Sequence, residues 1–129
     1  MTEKILKSDK KTILIVEDDE TSLMLLRVYL APGNYKILYA SDGKEAIQIF
    51  HENPDISIIL MDLKMPVMDG YEATRQIRKI NKNIPIIAQT AYALSGDSEK
   101  AMKAGCTDYI TKPIKKEVLL SKIEKLITK

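Results

Sequence analysis

The sequence predicts an α/β fold in which helices cover both faces of a parallel β-sheet. Two observations lead to this class. Five short runs rich in β-branched and other apolar residues recur along the 129-residue chain, and segments with apolar residues at helical spacing separate them. Strands that alternate with helices pair in parallel, because each helix returns the chain to the same end of the sheet. Without a linker or repeat in the sequence, we expect one domain at 12–129 after a polar arm at 1–11.

Each predicted strand is a short apolar run bounded by turn-forming or charged residues. Ile13–Val16 is apolar throughout, as expected for a strand that is buried on both faces. Ile58–Met61 has the same character and stops at Asp62. In chain order the five predicted strands are 13–16, 37–40, 58–61, 85–88 and 109–110.

The predicted helices begin and end at recognisable residues. Pro32 and Gly33 end the first helix, and Gly105 ends the fourth. Asp69 and Glu72 have the spacing of a capping box, in which each side chain binds the other residue's backbone N–H. In chain order the predicted helices are 22–30, 43–50, 71–80, 95–104 and 118–127.

Composition argues against several classes of protein. The chain is 45% hydrophobic and 29% charged, which is not the composition of a disordered segment. No apolar run exceeds four residues, whereas a membrane-spanning helix needs roughly 20. A net charge of +2 does not indicate a nucleic-acid partner, and the single cysteine rules out a disulfide framework. We therefore expect a cytoplasmic domain that binds no nucleic acid directly and does not insert into a membrane.

Polar residues follow the predicted strands. Four acids, 17–20, follow the first strand, and Asp62 follows the third. Gln89 and Thr90 follow the fourth strand, and Lys112 comes shortly after the fifth. Ligands of open parallel sheets bind beyond the carboxyl ends of the strands, so these residues are expected to meet at one edge of the sheet.

These residue types suit phosphoryl transfer assisted by a divalent cation. Carboxylates without histidine or cysteine nearby favour Mg²⁺, which would relieve their mutual repulsion. An aspartate can itself accept a phosphoryl group as an acyl phosphate, and Asp62 is the best placed because it directly follows a central apolar strand. Lys112 could then pair with the added charge, and Thr90 could donate a hydrogen bond to it.

Four motifs in this order resemble the receiver domain of two-component response regulators. They are the acids after 13–16, the block 61–70 around Asp62, Thr90-Ala91 and Lys112-Pro113. Thr90 lies 28 residues after Asp62, and Lys112 lies a further 22 residues along. The resemblance implies a flavodoxin-like, doubly wound sheet of five parallel strands in the order 2-1-3-4-5, with five helices.

The resemblance also implies roles at the acidic end of the site. Asp62 would be the phosphoacceptor, and its donor would be a histidine of a sensor kinase or of a phosphotransfer protein. Asp18, Asp62 and the main-chain carbonyl of Lys64 would hold Mg²⁺, while Glu17 would reach the ion through water. Asp19 is then spare and can cap the first helix. The Lys64 side chain is a departure from many receivers, and its ammonium group could alter phosphorylation rates.

Further along the chain, the resemblance implies a switch. Thr90 and Lys112 would bind the phosphoryl oxygens, and Tyr109 would turn inward when Thr90 moves. The surface formed by the fourth strand, fourth helix and fifth strand would then carry the signal. The Lys112–Pro113 peptide bond is typically cis in this family.

Two other functions fit the sequence less well. An aspartate-nucleophile phosphatase generally needs an acid two residues after the nucleophile, where this chain has Lys64. A nucleotide or flavin binder would need amide donors where this chain has acids, and no Walker-type loop is present. As a receiver, the chain would not turn over a substrate. It would be a stand-alone regulator or relay protein without an output domain, or a segment of a hybrid sensor histidine kinase at the cytoplasmic face of the membrane. We expect a monomer, or a weak dimer on phosphorylation.

Overall fold

The computed structural model describes residues 10–91 and 96–127, and it confirms the predicted fold class and strand order. Five parallel strands form one sheet in the order β2-β1-β3-β4-β5. The elements are β1 (Thr12–Val16), α1 (Glu20–Leu30), a 3₁₀ turn (Ala31–Gly33), β2 (Lys36–Ala40), α2 (Gly43–Glu52), β3 (Ile58–Asp62), α3 (Gly70–Ile80), β4 (Ile86–Thr90), α4 (Asp97–Ala104), β5 (Asp108–Thr111) and α5 (Lys116–Ile127). Most of the arm predicted at 1–11, and the predicted start of the fourth helix at Ser95, lie outside the described residues.

The sheet separates two apolar cores, because successive side chains of a strand point to opposite faces. On one face, Ile13, Ile58 and Ile87 pack with side chains of α1 and α5, among them Leu26 and Leu119. On the other face, side chains from the same strands pack with α2, α3 and α4; these include Leu14, Ile59, Ala88, Phe50 and Ile77. This double burial explains why β1, β3 and β4 are apolar almost throughout.

Helix α1 begins at Glu20, two residues before the predicted start. The Asp19 carboxylate caps the helix, accepting hydrogen bonds from the backbone N–H of Ser22 at 2.9 Å and from its hydroxyl at 2.8 Å. The prediction of Asp19 as a cap is thus confirmed. The start was predicted too late because the polar first turn carries no apolar signal.

The capping box predicted at α3 is only half formed. The backbone N–H of Glu72 donates to Asp69 Oδ1 at 3.0 Å, as expected of a capped helix. The Glu72 carboxylate, however, accepts from Arg75 Nε at 3.0 Å and from Gln76 Nε2 at 2.7 Å. These donors lie three and four residues along the helix, where side chains on one face meet. The prediction of a reciprocal bond from Glu72 was therefore wrong.

The start of α3 lies directly against the end of β3. The backbone N–H of Gly70 donates to the Leu63 carbonyl at 3.2 Å. A Cβ atom at Gly70 would collide with the main-chain carbonyl oxygen of Asp62. Glycine at this position therefore lets the chain close tightly around Asp62, the strand-end residue that the sequence favours as phosphoacceptor.

Candidate functional site

Three carboxylates meet where β1 and β3 end. Val16 and Met61 are paired in the parallel ladder, so the residues that follow them lie side by side. Oxygen atoms of Glu17, Asp18 and Asp62 lie within 4.8 Å of one another. Glu17 and Asp62 are buried, at 3% and 4% exposure, and Asp18 is exposed. Among the described residues, these three side chains form a cluster that could hold a metal ion.

Lys112 supplies a cation to this cluster. Its Nζ lies 3.4 Å from Asp62 Oδ1 and 3.7 Å from Glu17 Oε1. The backbone N–H of Lys112 donates to the Thr90 carbonyl at 2.8 Å, which ties the loop after β5 to the end of β4. The Lys112–Pro113 peptide bond is cis. The lysine predicted from the resemblance is therefore in contact with both buried carboxylates.

Burial makes ionisation of the two inner carboxylates costly. Removal from water, followed by the nearby Asp62 charge, raises the pKa of Glu17 from 4.5 to about 7, although Lys112 opposes this change. Burial also raises the pKa of Asp62, against the opposing effects of Lys112 and of the Lys64 backbone N–H, which lies 3.4 Å from Oδ1. The ammonium group of Lys112 offsets only part of the negative charge of the three ionised acids. This hard-oxygen donor set fits Mg²⁺.

An open cavity of about 390 Å³ gives access to the carboxylates. Besides the acids, its walls include Lys64, Gln89, Ala91 and Lys112. Glu17, Asp18, Asp62, Lys64 and Lys112, which were named from the sequence, therefore surround one accessible space.

Thr90 is placed differently. It is buried at the end of β4, and its hydroxyl donates to Asp97 Oδ2 at 3.2 Å. The other carboxylate oxygen of Asp97 accepts from the Tyr71 hydroxyl at 3.0 Å. In this structure the Thr90 hydroxyl is thus bound to the first residue of α4.

Tyr109 lies at the surface, with 37% of its area exposed. It lines a groove of about 340 Å³ together with residues of α5, including Val118 and Lys122. The fold therefore does not bring Tyr109 to the carboxylate cluster in this conformation.

Sequence reasoning missed Asp97 and the burial of Gln89. Asp97 follows a glycine at the start of a helix, where an acidic residue normally does no more than stabilise the helix through its dipole. Its burial at 7% exposure and its two hydroxyl partners become visible only in three dimensions. Gln89 is 1% exposed, and neither atom of its amide has a hydrogen-bond partner within 10–91 and 96–127. Gln89 follows an apolar run in the sequence and lies within β4 in the structure, but nothing in the pattern indicates an unpaired amide.

Comparison with protein families matches residues 13–124 to the response regulator receiver domain. The chain belongs to this family. It is a receiver domain of two-component signalling, with a fold shared by solved receiver structures. No helix in the described segments has the length and apolar character needed to cross a membrane.

Three similar proteins illustrate the contexts in which such domains occur. The chain is 42% identical over 125 residues to hybrid signal transduction histidine kinase I of Dictyostelium discoideum, covering 91% of this receiver but only 7% of that protein. The Ssk1 receiver from Saccharomyces cerevisiae, solved with the histidine phosphotransfer protein Ypd1, is 34% identical with a TM-score of 0.86; the match covers 92% of this chain and 90% of that one. A sensor kinase receiver from Pseudomonas aeruginosa, solved with magnesium in its active-site cleft, is 37% identical with a TM-score of 0.86, covering 93% and 99%.

Proposed function

We propose that this receiver accepts a phosphoryl group on Asp62 from a phosphohistidine, with Mg²⁺ bound beside it. The observation that carries the proposal is the placement of Asp62. Its carboxylate is buried at the base of an open cavity, clustered with Glu17 and Asp18, and 3.4 Å from the ammonium group of Lys112. A buried carboxylate of raised pKa beside a cation and further acids is typical of a reactive group rather than of a strand end.

The transfer step follows from these contacts. A carboxylate oxygen of Asp62 attacks the phosphorus, forming an acyl phosphate while the P–N bond to the donor histidine breaks. The histidine nitrogen keeps the electron pair of that bond. The Lys112 ammonium group is close enough to pair with the phosphoryl oxygens as their charge enters the site.

Asp18, Asp62 and the main-chain carbonyl of Lys64 are the proposed metal ligands, with Glu17 reaching the ion through water. Oxygen donors of this type and number suit Mg²⁺, which retains several waters in protein sites. The bound ion would neutralise charge on the carboxylates and the incoming phosphoryl group. The magnesium-containing Pseudomonas receiver supports this assignment by similarity.

The proposed partner surface is α1, which lies beside the cavity. Met24, Leu25 and Val28 are 63%, 42% and 66% exposed on this one helix, and exposed apolar patches mark sites of protein–protein interaction. We propose that a sensor histidine kinase or a phosphotransfer protein docks here, as a protein of the latter kind accompanies the Ssk1 receiver. The chain would act as a regulator or relay, or as the receiver segment of a hybrid kinase.

We propose that Thr90 and Tyr109 transmit phosphorylation to the output surface. In the phosphorylated state, Thr90 would turn its hydroxyl to the phosphoryl group, and Tyr109 would move inward from its half-exposed position. The change would alter the surface of β4, α4 and β5.

The test of the phosphoacceptor is intact-mass measurement after incubation with acetyl phosphate and Mg²⁺. The parent is expected to gain one phosphoryl mass, whereas Asp62→Asn and a metal-free sample of the parent are not. Asp55→Asn is the matched control, because Asp55 is exposed in the loop before β3. Equal uptake by Asp62→Asn and the parent, or no uptake by the parent, would overturn the proposal.

A further inference from the structure

The Asp97 carboxylate joins three elements of the fold. It lies at the first position of α4 and accepts hydrogen bonds from Thr90 on β4 and from Tyr71 on α3. All three side chains are buried, with exposures between 2% and 8%. Lys100, one turn further along α4, holds its ammonium nitrogen 4.8 Å from the centre of the Tyr71 ring. The cluster is therefore shielded from solvent, and each oxygen of the Asp97 carboxylate accepts one hydrogen bond.

The Tyr71 bond determines the orientation of Asp97. Burial, followed by the bond to Asp97, raises the pKa of the Tyr71 phenol to about 12, so Tyr71 is a donor at neutral pH. It occupies Oδ1 and leaves Oδ2 to the Thr90 hydroxyl. Hydrogen bonds from hydroxyl groups to carboxylates are stronger than those between neutral groups. Thr90 is thus bound by the stronger kind of hydrogen bond.

This bond competes directly with the proposed role of Thr90. A threonine hydroxyl carries one proton and donates one hydrogen bond at a time. While it donates to Asp97, it cannot donate to a phosphoryl group on Asp62. Successive side chains of β4 point to opposite faces of the sheet. Gln89 is the ladder partner of Asp62, so the Thr90 side chain points to the face opposite to that of Gln89.

We propose that Asp97 is a positioning residue that holds the Thr90 hydroxyl away from Asp62 and so opposes phosphorylation of the receiver. The inference rests on the proposed function of Asp62. Phosphorylation requires the Thr90–Asp97 bond to break, which releases Asp97 at the start of α4. The same bond that delays phosphorylation thereby couples it to the surface of α4.

The first arm of the test measures the initial rate of phosphoryl uptake from acetyl phosphate with Mg²⁺, per folded protein. Asp97→Ala removes the carboxylate acceptor of the Thr90 hydroxyl, and we expect a rate about tenfold higher, which is the lower end of the effect of losing one hydrogen bond to a charged group. Glu99→Gln removes a negative charge from the same first turn of α4, where the Glu99 side chain is exposed and not bonded to Thr90. This control is expected to stay within about twofold of the parent, since it leaves the Thr90–Asp97 bond in place.

The second arm needs no phosphorylation. Thr90→Val, Asp97→Ala and the double variant form a cycle of urea unfolding measurements. If the two side chains are bonded, the second substitution costs less once the first is present. We expect the product of the two single-variant changes in the unfolding equilibrium constant to exceed the change in the double variant by about fivefold or more. Should Asp97→Ala fail to fold, Asp97→Asn keeps the shape of the side chain and removes the charged acceptor.

The outcomes separate the two proposals. No phosphoryl gain by the parent would overturn the function of Asp62 and the role of Asp97 together. Normal uptake by the parent with no acceleration in Asp97→Ala, or with equal acceleration in Glu99→Gln, would overturn the role of Asp97 alone. Additive unfolding energies would do the same, because they would show that no bond couples the pair.

Discussion

Glu17→Gln is expected to change how the stability of this receiver depends on pH. In the parent, burial and the Asp62 charge raise the pKa of Glu17 from its ordinary value of 4.5 to about 7 in the folded state. Between these values the folded protein holds a proton that the unfolded chain has released. The free energy of unfolding therefore falls as pH rises from about 4.5 to about 7, and it stays low above that range.

The size of this fall follows from the two pKa values. Each pKa unit corresponds to about 1.4 kcal/mol, so Glu17 alone lowers the free energy of unfolding by about 3 kcal/mol between pH 4 and pH 8. Asp62, whose pKa is also raised by burial, adds to the fall in the same direction. A glutamine at position 17 keeps an oxygen to accept from the Asp19 backbone N–H, which lies 3.2 Å from Glu17 Oε2.

The assay is urea unfolding at pH 5 and pH 8 with a chelator present, because bound metal would favour the ionised carboxylates. We expect Glu17→Gln to match the parent within about 1 kcal/mol at pH 5 and to exceed it by about 3 kcal/mol at pH 8. Glu20→Gln, an exposed glutamate three residues along, should retain the pH dependence of the parent. If the parent is as stable at pH 8 as at pH 5, or if Glu17→Gln loses as much stability as the control, the reasoning from burial is wrong.

Three further predictions test other parts of the structure. Mg²⁺ at about 100 times its dissociation constant should raise the free energy of unfolding by about 2.7 kcal/mol. Thermal unfolding should show that Asp18→Asn loses most of this stabilisation. An undiminished stabilisation would contradict Asp18 as a metal ligand. Gln89→Leu should stabilise the chain by about 1–2 kcal/mol in urea, because an unpaired buried amide is costly; a loss of stability would show that the amide is hydrogen-bonded. Asp69→Ala should lower stability by about 1 kcal/mol through loss of the α3 cap, while Asp69→Asn should retain most of it; equal losses would contradict a capping role.

Local patterns were sufficient to predict the sheet and the acidic end of the site. The apolar runs of β1, β3 and β4 identify strands buried on both faces, and alternation with helices makes them parallel. Parallel strands end at one edge of the sheet, and the strand order implied by the receiver resemblance makes the residues after Val16 and Met61 neighbours, as the structure shows. The approach of the acids 17–20 to Asp62 was predictable from chain order and strand direction, which do not depend on the details of packing, whereas the choice of Glu17 and Asp18 among them came from the receiver resemblance.

Helix starts were predicted less well where the first turn is polar. The start of α1 at Glu20 is set by the Asp19 cap, and the apolar period begins only later. At α3, Glu72 had the choice between the Asp69 backbone and the side chains of Arg75 and Gln76, and it binds the side chains. Such competition between nearby partners is decided by side-chain geometry, which the spacing of residue types does not contain.

The direction of the Thr90 hydroxyl was decided by the tertiary structure alone. Its acceptor, Asp97, reaches the hydroxyl only because α4 packs against β4, and Asp97 is oriented by Tyr71 from α3, 26 residues earlier in the chain. The burial of Gln89 likewise depends on how the end of β4 is enclosed, rather than on the strand pattern. Periodicity records which face of an element a residue occupies. The partner that a polar side chain meets on that face depends on the packing of elements distant in sequence.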